Sequence, residues 1–173
     1  MKTGIGCLLI IVFFVNSLSA DNSSPWNAKA ARAVHLGQRD LAFMYYRSFL
    51  TENSADSPRR QKALFAVAEY YFLNSDFNQA QEYFEDYLSK NEDKIGALFA
   101  HFYLWRLAQI RQKKTEMIAQ EEQIKGLLKH VYIFNSVKEY VFVSPFDRVH
   151  KARYDIQKVE FYVEDKFVAE ISY

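Results

Sequence analysis

Side chains suited to metal binding or acid–base chemistry are few and scattered along this sequence. Its four histidines form no His-x-x-x-His pair and have no cysteine or carboxylate at ligand spacing: His35, His101, His130 and His150. His101 falls at an apolar position of a predicted helix, which indicates a buried, hydrogen-bonded histidine. We therefore expect no metal site.

Nucleophilic catalysis has equally little support. The sequence contains no glycine-rich phosphate loop, no Gly-x-Ser-x-Gly elbow and no Ser or Cys nucleophile with a base nearby. Glu82, Glu85 and Asp86 form an acidic helix face and Arg111 to Lys114 a basic cluster, both typical of solvated helix surface. We expect a protein that is not an enzyme and needs no cofactor.

The composition is that of a globular protein rich in aromatic residues. Of 173 residues, 50% are hydrophobic and 25% charged, with a formal net charge of +1. These values exclude a disordered chain, and the near-neutral charge gives no general argument for nucleic acid or an anionic membrane as partner. Aromatic residues reach 17%, so we expect a core, and one exposed surface, built from rings.

Residues 1–20 have the layout of a bacterial secretory signal peptide. Lys2 precedes an uncharged apolar run from Ile5 to Val15, and small residues at Ser17, Ser19 and Ala20 suit cleavage. Two alternatives stay open, namely an uncleaved membrane anchor and lipidation at Cys7. Cleavage would leave no cysteine, as suits an oxidising compartment, so we expect a periplasmic or outer-membrane-associated protein.

Residues 21–130 carry a helical repeat. The sequence Ala63-Leu64-Phe65-Ala66 recurs as Ala97-Leu98-Phe99-Ala100, 34 residues later. The stretch from Ala63 to Asn91 resembles a tetratricopeptide repeat, with aliphatic, small and aromatic residues at the signature positions Leu64, Val67, Ala68, Tyr71, Phe77, Ala80, Phe84 and Tyr87. The resemblance implies helical hairpins stacked side by side.

Two further repeats flank this one. Leu41-Ala42 matches Gln79-Ala80 at a displacement of 38, so a divergent first repeat runs from Trp26 to Asn53, with a four-residue insertion in the loop Thr51 to Ser57. A third repeat begins at Ala97 and loses its pattern, because the position equivalent to Ala80 is Lys114.

Capping residues divide the repeats into helices. Ser24-Pro25 and Ser57-Pro58 place an N-cap before a first-turn proline, Asp76 is a further cap, and Gly37 ends the first helix. We predict a mainly α fold, a right-handed stack of three hairpins, with helices near Pro25–Leu36, Asp40–Glu52, Pro58–Leu73, Asp76–Lys90, Asp93–Gln112 and Thr115–Lys129.

Residues 131–173 change to a β pattern. Runs of β-branched and aromatic residues predict strands, and Glu164-Asp165-Lys166 predicts a tight turn within a hairpin from Lys158 to Ser172. This hairpin weakly resembles bacterial surface immunoglobulin-like modules. A segment this short needs support, either from the last helices or from another protein through strand addition. The predicted strands are Val131–Phe134, Glu139–Val143, Val159–Val163 and Phe167–Ile171.

The tetratricopeptide resemblance also implies a binding surface. In such stacks the first helix of each hairpin lines a concave groove, which here would hold Phe65, Glu69, Phe72, Phe99, Tyr103 and Arg106. Either these rings are exposed and bind a helix or peptide, or the β segment covers them and they are core. Both alternatives stay open at the level of sequence.

These features predict a non-catalytic adaptor or scaffold of the bacterial cell envelope. It would bind a peptide or helix of another envelope protein in the concave groove, with no nucleic acid partner and no membrane contact beyond the signal peptide. The alternative is a structural subunit of an envelope or secretion complex whose C-terminal strand completes a partner's sheet.

Overall fold

A computed structural model of the protein describes residues 25–52, 58–89, 93–128, 138–155 and 157–172. The fold is mainly α, with a C-terminal antiparallel sheet. The predicted signal segment, most of the loop Thr51 to Ser57, the strand Val131–Phe134 and His130 lie outside the described residues. The helices are α1 Pro25–His35, α2 Arg39–Glu52, α3 Pro58–Leu73, α4 Phe77–Ser89, α5 Lys94–Ile110 and α6 Lys114–Leu128, and each lies within two residues of its predicted bounds.

The helices pack as three consecutive hairpins, α1–α2, α3–α4 and α5–α6, and α2 and α4 each contact the following hairpin. Asp93 caps α5 by accepting a hydrogen bond from the Ile95 backbone N–H at 3.0 Å. Asp76 accepts one from the Gln79 N–H at 3.3 Å, at the start of α4. Asp76 is therefore the cap that the sequence predicted, and Asp93, predicted as the first residue of its helix, is a further cap.

The turns inside the three hairpins share one geometry. In each, a residue with positive φ follows the first helix, namely Gly37, Ser75 and Gln112, and equivalent pairs of backbone hydrogen bonds close the helix end. These residues are 38 and 37 apart in the sequence. The hairpins thus share a repeated turn as well as a repeated helix motif.

This turn geometry corrects the register of the third repeat. After each turn the second helix makes its first bond in the same way, from Ala42 N–H to Gln38 O, Ala80 N–H to Asp76 O and Met117 N–H to Lys113 O. The residue equivalent to Ala80 is therefore Met117, which packs on the core, and not Lys114. The spacing of 34 fails here because α5 continues nearly one turn further beyond the repeated motif than α3 does.

The sheet is a four-stranded antiparallel meander in the order β1-β2-β3-β4. A turn of two positive-φ residues, Glu164 and Asp165, connects β3 to β4, as favoured in tight hairpins. The sequence did not predict β2, whose inward positions are His150, Ala152 and Tyr154 instead of β-branched residues. The strands are β1 Lys138–Val143, β2 Val149–Tyr154, β3 Lys158–Val163 and β4 Lys166–Ser172.

One face of the sheet packs on the helices. The larger core cluster joins α3 to α6 with the inward residues of β2, β3 and β4, including Ala152, Val159 and Phe161. A second cluster joins α1, α2 and α3 with Phe146 from the β1–β2 loop. The β segment is thus supported by helices of its own chain, one of the two arrangements considered from the sequence.

Candidate functional site

The sheet covers most of the predicted groove. Phe65, Phe99 and Tyr103 are buried, and Glu69 is 0% exposed, whereas Phe72 and Arg106 are partly exposed. These four side chains are therefore buried beneath the β segment, which is one of the two alternatives that the sequence left open. A partner's peptide could reach them only after the sheet had left.

Aromatic rings of the sheet fill the space between α3 and α5. The Phe142 ring lies 4.8 Å from the Phe65 ring and 5.6 Å from the Phe99 ring, measured between centroids. Phe161 stacks on Phe102 at 4.3 Å. These contacts bury large apolar areas on both sides, so the sheet is an integral part of the core.

A polar cluster is enclosed within this interface. Glu69 Oε1 accepts hydrogen bonds from Arg148 Nη1 at 2.8 Å and from the Tyr103 hydroxyl at 3.0 Å. His150 Nε2 lies 3.2 Å from the same oxygen and 2.8 Å from Tyr103 Oη. Among the described residues, the buried second oxygen, Glu69 Oε2, has no hydrogen-bond partner. The buried Ser144 also lowers the pKa of the carboxylate. We call Glu69, Tyr103, Arg148 and His150 the interface cluster.

The imidazole of His150 connects the interface cluster to the backbone of β2. Its Nδ1 lies 3.0 Å from the Arg148 carbonyl oxygen, which can only accept, so a proton on Nδ1 completes this bond. The Tyr103 hydroxyl has a single proton, which it can donate either to Glu69 or to His150 Nε2. The four side chains therefore form one connected hydrogen-bond network.

The surroundings also shift the acidity of the cluster. Burial disfavours the Glu69 carboxylate, but hydrogen bonding and charge from His150, together with the charge of Arg148, outweigh burial and lower the pKa of Glu69. Burial and the Glu69 charge raise the pKa of Tyr103 well above its ordinary value. Glu69 is therefore an anion and Tyr103 a neutral donor at neutral pH.

The interface cluster has the composition of a catalytic site but lacks access. Glu69 and His150 are both 0% exposed, and the partly exposed Arg148 side chain is held by Glu69. A group that substrate cannot touch does not catalyse. What this arrangement can do is join α3 and α5 to β2 through directed, charge-assisted hydrogen bonds.

Sequence reasoning missed Arg148 and His150 because it placed them in a loop. A signal was present, since Val149 to Tyr154 alternates His, Ala and Tyr with Val, Lys and Arg, which is a strand period of two. Charged residues at the outward positions and alanine at an inward one masked that alternation.

The remaining candidates behave as predicted for surface and helix residues. His101 is partly buried and its Nδ1 lies 2.7 Å from Gln120 Oε1, and burial lowers its pKa. Asp86 pairs with Arg60 at 3.5 Å, and Lys113 pairs with Glu116 at 2.7 Å. Within the described ranges, no group of three or more His, Cys, Asp or Glu side chains is placed to hold a metal ion.

The outer face of the sheet is exposed and mostly polar. Ion pairs cross it, from Arg153 to Glu139 at 3.5 Å and from Lys158 to Glu170 at 2.9 Å. Apolar side chains are exposed near both edges of the four-stranded sheet. Val143 on β1 is 56% exposed and Phe167 on β4 is 58% exposed.

Comparison of the chain with protein-family models, curated proteins and solved structures finds no match. None of the helices in the described part of the chain is long and apolar enough to cross a membrane.

Proposed function

We propose that this protein is a non-catalytic interaction subunit of the bacterial cell envelope that binds another envelope protein. The apolar run Ile5 to Val15 with its flanking residues supports export. The fold supports binding in preference to catalysis, because in the described part of the chain the interface cluster, which has the composition of a catalytic site, is enclosed by the core, with Glu69 and His150 both 0% exposed. The repeated turns of the three hairpins support the tetratricopeptide assignment, which remains part of this proposal.

The surface we assign to the partner is the edge of the sheet at β4. Among the described strands, β4 pairs only with β3. The backbone N–H and C=O groups on its other side therefore make no hydrogen bonds to another described strand. Its Phe167 side chain is 58% exposed and packs edge-on against the Tyr162 ring at 5.8 Å between centroids. An exposed aromatic side chain beside an open strand edge is the single observation that carries the proposal.

The edge is restricted in what it can accept. The pairing of β3 with β4 shifts register between Phe161 and Tyr162, and such an irregularity bends a strand locally. Lys166 and Glu170 place opposite charges along β4, and Glu170 is paired with Lys158. These features are typical of edges protected from indiscriminate pairing, so we expect a partner strand matched to this one.

Binding of a partner peptide in the predicted concave groove has less support than binding at β4. A peptide bound against Phe65 and Phe99 would have to replace Phe142 and the interface cluster, and so would disrupt the core. Only Phe72 and Arg106 of the predicted groove residues retain exposed surface. We therefore assign the partner to β4, the alternative that the sequence analysis left open.

A pair of matched variants tests the assignment. Phe167→Glu and Val143→Glu introduce the same charge at nearly equally exposed sheet positions on opposite edges, and neither site belongs to the buried core. Each variant, and the unchanged protein, is used to capture proteins from native envelope extract after thermal melting shows equal stability. Amide hydrogen exchange of β4 is then measured with and without the captured partner.

We expect Phe167→Glu to abolish capture, Val143→Glu to preserve it, and the partner to slow exchange of the β4 amides. Loss with Val143→Glu alone would place the partner on β1. Loss with Phe72→Ala/Arg106→Ala, with both sheet variants still active, would return the site to the helical groove. If none of these variants reduced capture, the assignment would be refuted.

A further inference from the structure

The charged residues on the exposed side of α1 are all basic. This helix buries Ala30 and Ala33, and its exposed positions include Lys29, Arg32 and His35 with no acidic residue anywhere in the helix. Lys29 Nζ lies over the Trp26 ring at 4.5 Å. Leu36, just past the end of α1, is 57% exposed.

Few acids near α1 compensate these charges. The first hairpin contains only two acidic residues, Asp40 and Glu52, and both already accept hydrogen bonds from aromatic side chains. Tyr70 donates to Asp40 at 2.9 Å, and Trp26 Nε1 donates to Glu52. Among the described residues, Lys29 and Arg32 make no ion pair.

The third hairpin provides a contrast. It is also rich in basic residues, yet Lys113 and Lys125 pair with glutamates one turn away, and Arg111 binds Asn78 and Gln81. The near-zero net charge of the chain therefore conceals a basic face on α1, where Lys29 and Arg32 make no ion pair with any described residue. Such a face attracts an anionic surface.

We propose that this face of α1 binds the anionic headgroups of a membrane. The chain itself argues for lipid over nucleic acid. The apolar run from Ile5 to Val15 directs the chain to a membrane, and the nine residues between Val15 and Pro25 reach at most about 30 Å when extended. Retained as an anchor, the run would keep α1 close to the bilayer surface; after cleavage, the basic face would act alone.

The chemistry of this face of α1 fits a membrane surface. Lys29 and Arg32 can contact phosphate groups, and Leu36 can enter the headgroup layer, as in amphipathic helices that lie on membranes. Each basic residue at an anionic surface strengthens binding by about fivefold. The expected binding is weak, reversible and sensitive to salt. It does not depend on the β4 partner.

Vesicle flotation tests the proposal. All described helices and strands lie between residues 25 and 172, so the chain from Asp21 to Tyr173 keeps them without the apolar run. We would compare phosphatidylcholine vesicles with vesicles containing about one-third phosphatidylglycerol, at low salt and at about 0.5 M salt. Lys29→Gln/Arg32→Gln is compared with Lys94→Gln/Lys114→Gln, which removes the same charge from exposed positions of the third hairpin.

We expect binding only to the anionic vesicles at low salt, with a loss of about 25-fold in Lys29→Gln/Arg32→Gln and little change in the control pair. Equal losses of vesicle binding in both double variants would show an effect of net charge alone and would overturn the assignment of the site to α1. Failure of the unchanged chain to bind, or equal binding to both vesicles, would overturn the proposal. So would tighter binding to a short RNA duplex than to the anionic vesicles.

Discussion

The sheet meets the helices in two places that differ in chemistry. Over α3 and α5 the contact combines stacked rings with the interface cluster, in which Glu69 accepts hydrogen bonds from Tyr103 and Arg148. Over α1 and α2 the contact is a loop whose Phe146 packs among alanines and against Tyr46, at 6.0 Å between ring centroids. A long hydrogen bond of 3.4 Å from the Tyr46 hydroxyl to the Pro145 carbonyl adds a polar link there.

The two contacts therefore differ in how strictly they fix the position of the sheet on the helices. An apolar contact such as that of Phe146 tolerates small displacements, because dispersion and hydrophobic burial have little directionality. The interface cluster has atoms that must meet at hydrogen-bond distance, and a shift of β2 by one residue would turn His150 to the solvent face and leave Glu69 buried without it. We infer that the cluster sets the register of the sheet on the helices, while the rings supply most of the stability.

The largest expected effect comes from truncating a ring in each region. Phe161→Ala should lower the free energy of unfolding by about 4 kcal/mol, because Phe161 is fully buried between strands and helix. Phe146→Ala should cost about 3 kcal/mol, because its loop can close over part of the cavity. Urea denaturation measures both values. A larger loss of unfolding free energy in Phe146→Ala would show that the loop contact stabilises the fold more than the contact over α3 and α5.

Hydrogen exchange distinguishes the two ring variants further. We expect Phe146→Ala to speed exchange mainly in α1 and α2, because the loop contacts the first hairpin. Phe161→Ala should speed exchange throughout the sheet and α5. Identical exchange patterns would mean that the two regions unfold as one unit.

The next effect is the coupling inside the interface cluster. Glu69→Gln should lower the free energy of unfolding by about 3 kcal/mol, because it leaves Arg148 and His150 facing a neutral amide in a buried site. A double-mutant cycle with Arg148→Gln should give a coupling energy of about 1–3 kcal/mol. The exposed pair Glu139 and Arg153, changed in the same way, should give less than about 0.5 kcal/mol. Equal coupling in the two cycles would show that burial makes the interface cluster no more strongly coupled than an exposed ion pair.

Much of the helical region could be predicted from the sequence because its signals are local. Prolines after Ser24 and Ser57, the cap at Asp76 and the repeated Ala-Leu-Phe-Ala motif lie within a few residues of what they determine. The hairpin of β3 and β4 was predictable for the same reason. Glycine at position 37 marks the first turn, but Ser75 and Gln112 adopt the same positive φ without any glycine to indicate it.

The interface cluster could not be predicted because its members are distant in sequence. Arg148 lies 79 residues from Glu69, and His150 lies 47 residues from Tyr103. The tetratricopeptide resemblance predicted that Phe65, Glu69, Phe99 and Tyr103 share one surface of the helices, and such a resemblance gives no information on what covers that surface. That information came only with β2, the strand whose pattern was hidden by alanine and charged residues.

The smallest effect, and the most specific to the interface cluster, is the pH dependence of stability. The folded protein lowers the pKa of Glu69 below the ordinary value of 4.5 through His150 and Arg148 despite burial. The unfolded state then binds more protons near pH 4.5, so stability is present above this pH and is lost as pH falls toward the folded pKa, by at most about 1.4 kcal/mol per pH unit. Glu69→Gln should flatten this part of the curve of unfolding free energy against pH.

Glu160→Gln is the matched control for that measurement. Lys158, first through its hydrogen bond, lowers the pKa of Glu160 as well, but this carboxylate is on the outer face of the sheet, where solvent screens the interaction. Its removal should leave the acid limb nearly unchanged. If Glu160→Gln flattened the curve as much as Glu69→Gln, acid sensitivity would belong to the general charge of the surface, and the buried carboxylate would have no distinct part in holding the sheet on the helices.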